Sequence, residues 1–247
     1  RTRNNNTLTG LFTGLAVISA FFVLTTTAAA ATWDDGGTDD NWSTFTNWSD
    51  DADPTGKNLT FDADANGSGT ADQPGDGSTT AGTITNTVDQ SYTGANAMGT
   101  LSYIARDGLY HTTEIPSGAT LEVTGFSHTY PDSSGSGQTD ITGDGTLLYN
   151  NSGGTITVKG GHGSFNGTTL DMSGLATFDA TASEVRIGLD RSKSVSWKLA
   201  ADNDITASAL RIGWWDSRTN VLRLGESNTL NLNTVSISDG TWNGTSA

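Results

Sequence analysis

The chain has 247 residues, of which 27 are acidic and 12 basic, and its formal net charge is −15. A surface with this charge repels nucleic acid and anionic membranes, so the composition excludes a general affinity for either. Cysteine is absent, which excludes disulfides, and the stability of the fold must come from packing and backbone hydrogen bonds.

Residues 1–31 predict a secretory signal peptide. Two basic residues, Arg1 and Arg3, precede the apolar run LTGLFTGLAVISAFFVL, and the small residues TTTAAAAT follow it. This order is typical of an export signal, with cleavage after Ala30 or Ala31. The alternative is a retained membrane anchor, for which the run is short and carries Thr, Gly and Ser. We therefore expect a secreted or outer cell-surface protein.

Residues 32–82 form a region rich in Trp and Asp, for which we predict an N-terminal cap. Trp33, Trp42 and Trp48 occur within 16 residues, among acids, Gly and Asn. A fold built of stacked repeats, which the later residues predict, needs a plug over its open end. The alternative is a platform on which the three indoles stack against sugars.

The stretch DADANGSGTADQ at 62–73 resembles the start of a calcium loop. Asp62, Asp64 and Asn66 stand at alternate positions before a glycine, as oxygen ligands do in such loops. Where a bidentate acid is expected the chain has Gln73, with Asp72 beside it, and no helices are predicted on either side. Acidic surface loops often show the same pattern. Apart from calcium here, the sequence predicts no cofactor.

Two motifs carry a resemblance to a known family. The first, T-W-D-x-G-G-x-x-x-N-W-S-x-x-x-N-W, is followed by an acidic loop and L-x-F, and the second is I-x-x-G-A-T-L-x-V-T-G at 115–125. Over 32–125 the chain resembles the start of bacterial surface proteins with autotransporter-associated β-strand repeats. The resemblance implies a surface-displayed β-helical passenger that is adhesive or structural, and it supplies no catalytic residues.

Residues 83–247 predict an all-β fold, a right-handed parallel β-helix with about 25 residues per turn. When 183–213 is aligned with 208–238, eight of 31 positions are identical, and the apolar positions agree better still. Their spacing predicts three short strands per turn that stack on like strands of the next turn. Before residue 180 the period blurs, and only Leu170 and Met172 against Val195 and Trp197 continue it.

This register makes specific predictions. Ile187, Ile212 and Ile237 should lie in one buried column, and Asn203 should stack on Asn228 in an asparagine ladder. The chain also lacks an initiator Met and stops in the polar run DGTWNGTSA. We therefore expect a fragment that is truncated at its C-terminus, and any C-terminal anchor to be missing from it.

Trp214 and Trp215 are the candidate glycan-binding residues. Adjacent strand residues point to opposite faces, so one indole should pack inward while the other stands on the surface. An exposed indole would suit a sugar ring, and a local loop contact is the alternative. The expected partners are an extracellular polysaccharide or the surface of a host or neighbouring cell.

Catalytic motifs are scarce, and we expect no enzyme. The three histidines are isolated in sequence, and neither a G-x-S-x-G elbow nor a phosphate loop occurs. The alternative is a polysaccharide lyase in which Arg186 and Arg211 neutralise a uronate while a base removes its proton. We favour a structural arginine ladder whose repulsion is offset by carboxylates such as Asp190 and Asp216.

Overall fold

The computed structural model describes residues 29–61, 69–71, 83–86, 90–104, 110–129, 137–160, 167–188, 194–213 and 219–237. These residues contain one 3-10 helix, η1 (Phe45–Asn47), and no helix in them is long and apolar enough to cross a membrane. Their strands are β1 (Ala30–Thr32), β2 (Asn58–Phe61), β3 (Gly69–Ala71), β4 (Thr83–Asn86), β5 (Gln90–Tyr92), β6 (Ala95–Ile104), β7 (Tyr110–Glu114), β8 (Thr120–Thr129), β9 (Gly137–Val158), β10 (Thr168–Ile187), β11 (Val195–Lys198), β12 (Asp202–Ile212), β13 (Asn220–Arg223) and β14 (Ser227–Ile237).

The strands build a parallel β-helix, which confirms the predicted fold class. Every pairing between these strands is parallel. The solenoid makes about six turns, with about 26 residues between equivalent positions. Short runs of β-branched residues separated by Gly, Asn and Asp favour this architecture, because each turn buries its apolar face against its neighbours.

Each turn has three faces, numbered here in the order in which the chain crosses them. The corner between the second and third is visible in the alternation of β10, where buried positions fall at every second residue from Phe178 to Ala182 and resume at Val185. This interval of three breaks the period of two and bends the strand. In the last three described turns, face 1 comprises 168–171, 195–198 and 220–223, face 2 comprises 177–182, 202–207 and 227–232, and face 3 comprises 184–187, 209–212 and 234–237.

The isoleucine column lies on face 3 in the predicted register. Ile187 pairs with Ile212, and Ile212 pairs with Ile237, all on parallel strands. Ile187 is buried and Ile212 is partly buried, whereas Ile237 is 76% exposed. The predicted alignment is therefore confirmed, but the prediction of a buried column is wrong at Ile237. Each turn is covered by the one that follows it, and among the described strands β14 pairs only with β12.

The asparagine ladder is also confirmed. Asn203 is buried and pairs in register with Asn228. Its Nδ2 atom donates to Oδ1 of Asn228 over 3.0 Å and to the carbonyl oxygen of Ala200 over 2.8 Å. In the next turn, Nδ2 of Asn228 donates to the carbonyl oxygen of Gly225. The two amides thus satisfy backbone carbonyls at a corner where the strand hydrogen bonds are interrupted.

One alignment made from the sequence is wrong by two residues. Leu170 pairs with Trp197, an offset of 27 residues, rather than with Val195. The corner between faces 1 and 2 holds five residues at 172–176 but only three at 199–201, as the flanking pairs show. The Trp197 indole still reaches the earlier turn, where its Nε1 lies 3.1 Å from Sδ of Met172.

The tryptophan-rich region closes the N-terminal end, as predicted. Trp33, Trp42 and Trp48 are all at most 1% exposed and pack around Phe61 of β2. The ring centroids of Trp33 and Trp48 are 5.1 Å apart, with the planes nearly perpendicular. Because the indoles are buried, the sugar-platform alternative is wrong for this cluster.

Candidate functional site

Several of the predicted site residues lie outside the described part of the chain. They are the candidate glycan contacts Trp214 and Trp215 and the candidate calcium ligands Asp62, Asp64, Asn66 and Asp72. Their roles stay predictions. Within the described ranges, no group of three or more His, Asp or Glu side chains could hold a metal ion.

The two arginines of the lyase alternative lie one above the other on the outside of face 3. Arg186 pairs in register with Arg211, and their side chains are 41% and 42% exposed. Both form ion pairs with Glu184, and Nε of Arg186 lies 2.6 Å from its Oε2. The carboxylates named from the sequence, Asp190 and Asp216, lie outside the described residues, so Glu184 is the one seen to offset the repulsion.

The arginines act on the ionisation of Glu184. Partial burial alone would raise the pKa of this carboxyl, but the hydrogen bond and charge of Arg186, followed by those of Arg211, outweigh it and lower the pKa. The carboxylate of Glu184 thus forms ion pairs with two guanidinium groups. Sequence analysis missed this residue, although Glu184 stands two positions before Arg186 and therefore on the same face of the strand.

Removal of either arginine should have a small effect. We expect Arg186→Ala and Arg211→Ala each to lower the free energy of unfolding by at most about 1 kcal/mol, because the groups are half exposed and Glu184 keeps one partner. Glu184→Gln is the comparison variant, because it removes the carboxylate that both arginines share and leaves the two guanidinium groups next to each other. Urea denaturation would measure all three, and a loss of several kcal/mol from either alanine variant would contradict a minor role.

A groove of about 410 Å³ opens at the corner between faces 1 and 2 of the last described turns. The corner at 172–176 has five residues, whereas the two that follow, 199–201 and 224–226, have three each. The two three-residue corners contain Ala and Gly and project less than the five-residue corner, so the surface beside the longer corner is hollow. The groove is lined by Ser173, Lys198, Leu199, Ala200, Ala201, Arg223, Leu224, Gly225 and Glu226.

Charged side chains stand along this groove in register. Lys198 pairs with Asp171 on one side and with Arg223 on the other. The ammonium of Lys198 forms an ion pair with Asp171, which also accepts hydrogen bonds from the backbone and hydroxyl of Ser173. Burial would raise the pKa of Asp171, but the hydrogen bond from Lys198 and those from Ser173 outweigh it and lower the pKa. The positive charge of Lys198 is therefore offset by the carboxylate of Asp171.

Arg223 differs from Lys198 in its surroundings. Its side chain is exposed, and no carboxylate of the described residues lies within ion-pair distance of it. Glu226, three residues further along the same corner, is also exposed, whereas Leu199 and Ala200 are fully buried beneath the groove. The groove is thus bordered by a guanidinium and a carboxylate, both on the last described turn. Sequence analysis did not find it, because it depends on unequal corner lengths.

The interior of the N-terminal turns holds a second polar cluster. Nε2 of His128 lies 3.1 Å from Oγ1 of Thr139, and the hydroxyl of Tyr103 donates to Oγ1 of Thr113 over 2.7 Å. Burial and, to a smaller extent, the charge of neighbouring His111 lower the pKa of His128 to about 4. These buried groups connect neighbouring turns through side-chain hydrogen bonds inside the solenoid. The buried polar seam comprises Gln90, His111, Thr113, His128 and Thr139.

Comparison of the chain with protein-family models, with curated proteins and with solved structures finds no significant match to any of them. The resemblance to autotransporter-associated repeats therefore stays a prediction. Function has to be inferred from the geometry of the solenoid and its groove.

Proposed function

We propose that this protein is a secreted or cell-surface scaffold with a structural or adhesive role. The observation that carries the proposal is the register of the outward columns. Along face 3, Ser102, Ser127 and Thr157 precede Arg186 and Arg211 in consecutive turns, and all five are partly exposed. Neighbouring parallel strands lie about 4.7–4.9 Å apart, so each outward-facing position recurs at this spacing in a row along the axis.

A row of hydroxyl groups that continues into a row of guanidinium groups suits contact with another repetitive surface. A single hydroxyl or guanidinium contact is weak. When several such groups lie on one rigid protein, the first contact holds the partner in place, so the later contacts form without a further loss of its translational freedom. The solenoid supplies the rigidity, because each turn is bonded to the turns on both sides. The predicted signal peptide at 1–31 supports an extracellular location.

Export and adhesion are tested separately. The full chain, expressed in a bacterial host, should leave the cytoplasm and lose about 30 N-terminal residues by a small-residue cleavage site. Val17→Arg, which places a charge in the apolar run, should keep it inside. Retention of both proteins in the cytoplasm, measured by fractionation, would contradict export.

For adhesion, beads coated with the exported chain should attach under flow to surfaces carrying bacterial extracellular polysaccharide. Beads coated with protein that carries both Arg186→Ala and Arg211→Ala, which removes two outward groups of face 3, are the matched control. Equal attachment of the two kinds of bead would contradict adhesion through face 3. Release of unsaturated products from uronate polymers, followed by absorbance, would instead make the chain a lyase.

A further inference from the structure

A short pattern repeats on face 3 over the six turns that precede Arg186. Each turn contributes three residues, and the register aligns each set with the next. Wherever burial is described, the middle residue is buried and the two residues beside it are exposed or partly exposed. The six segments are AAT (30–32), NLT (58–60), TIT (83–85), TLS (100–102), GFS (125–127) and TIT (155–157).

The third positions of these segments form an unbroken row of hydroxyl residues along the axis. Five strand spacings make this first row about 24 Å long. A second row lies beside it at the first positions, where Thr100 and Thr155 supply hydroxyl groups. At Gly125 the second row has a gap, into which the side chain of Thr100 extends, because a Cβ atom at Gly125 would clash with Oγ1 of Thr100. The first row comprises Thr32, Thr60, Thr85, Ser102, Ser127 and Thr157.

The two rows form a regular grid. Positions in neighbouring turns are about 4.7–4.9 Å apart, and positions two residues apart along a strand are about 6.6 Å apart. Oxygen atoms at these separations cannot hydrogen-bond to each other directly, so a water molecule has room to bridge each pair. In the part of the chain that the structure describes, no protein group is hydrogen-bonded to the hydroxyls of Ser102, Ser127 or Thr157. We therefore expect the rows to hold water in a two-dimensional pattern.

This part of face 3 carries no charge. Its first and third positions, two in each of the six segments, contain no Asp, Glu, Lys or Arg and no aromatic residue. The net charge of the chain is −15, and the other faces of these turns carry Glu114, Glu122 and Asp140. A neutral face without aromatic rings offers a charged polymer no ion pair and a sugar ring no stacking surface. The partner that fits it is neutral and presents hydrogen-bonding groups in a repeated pattern.

We propose that the hydroxyl rows bind the surface of ice. The oxygen atoms of an ice surface are uncharged, hydrogen-bonded and regularly spaced, with repeats close to those of the two rows. Waters that bridge the hydroxyls can therefore continue into the crystal lattice. Because each turn is bonded to the turns on both sides, the grid is rigid before it binds, and many weak contacts act together. The proposal goes beyond the adhesive role, which involves the arginines at the other end of face 3.

Partition into ice tests the proposal directly. Ice is grown slowly on a cold surface in a stirred solution of the full exported chain, and the protein concentration in the ice is compared with that in the remaining liquid. An advancing crystal excludes a solute that does not bind it, so dextran in the same solution gives the background. We expect the chain to be enriched in the ice relative to dextran. It should also keep ice crystals small in a frozen solution held just below its melting point.

A charge placed in the first row should interrupt the grid. Ser102→Lys should lower the enrichment by roughly tenfold, because the contacts on its two sides no longer act together. Ser102→Thr keeps the hydroxyl and should retain the enrichment. Thr181→Lys is the matched control, since it makes a comparable change at an exposed position of face 2, and it should leave the enrichment unchanged. Denaturation midpoints show whether all variants fold.

Three results would overturn the proposal: exclusion of the original chain from ice, equal partition of the Ser102→Lys and original proteins, or an equal loss in Thr181→Lys. The adhesive role fails separately, because its test depends on Arg186 and Arg211. If beads attach while the chain is excluded from ice, only the ice proposal falls. If the chain is enriched in ice while beads do not attach, only the adhesive role falls.

Discussion

Replacing Trp48 with alanine should lower the free energy of unfolding by about 3–5 kcal/mol. Its side chain is fully buried in the cap, with its ring centroid 5.1 Å from that of Trp33 and 5.8 Å from that of Trp42. Its Nε1 also donates to the carbonyl oxygen of Trp42 over 2.9 Å. Truncation leaves a cavity among aromatic rings and a buried carbonyl without its donor.

Chemical denaturation followed by circular dichroism would measure this loss. Phe45→Ala is the control, because Phe45 belongs to the same region but is 49% exposed, and its replacement should cost little. Should Trp48→Ala fail to fold, Trp48→Phe keeps part of the packing and should give a measurable intermediate loss. Equal midpoints for Trp48→Phe, Trp48→Ala and the original protein would show that the cap does not stabilise the solenoid.

The second large effect is a loss of stability in acid. The pKa of His128 is lowered from 6.5 to about 4 by burial and by the charge of His111. The unfolded chain therefore binds this proton more readily than the folded chain below pH 6.5. Stability from this residue is fully present above pH 6.5 and is lost as the pH falls towards 4, by roughly 3 kcal/mol.

His128→Val isolates this contribution from the carboxylates. Valine already fills the same inward position in the next turn, where His128 pairs with Val158. The variant should lose less stability between pH 6.5 and 4 than the original protein, whatever its stability at neutral pH. Parallel curves of unfolding free energy against pH for the two proteins would contradict the assignment to His128.

The sequence predicted the repeat well where the turns are alike. From Ser183 to Ile237 all strands of faces 2 and 3 keep an offset of 25 residues, so identical side chains recur and the register can be read directly. Earlier turns differ in their corners, and the offset of face 1 is 27 at Leu170. Because a corner is set by local backbone geometry rather than by an apolar period, its length does not appear in the pattern.

The groove and the buried polar seam could not be predicted from the sequence for the same reason. Arg223 and Glu226 are ordinary surface residues until the three-residue corners place them around one hollow. His128 and Thr139 come from different strands, β8 and β9, and meet only because the turns stack. The cap was predictable, since three tryptophans within 16 residues need a buried environment.

The direction of the backbone hydrogen bonds gives the solenoid an uneven resistance to force. The bonds run from turn to turn along the axis, so tension along that axis opens them one turn at a time, whereas a load across it must break many at once. Each opened turn releases about 25 residues, or roughly 80–90 Å of chain. A protein fixed at one end and held at the other would thus lengthen in steps before its attachment gave way.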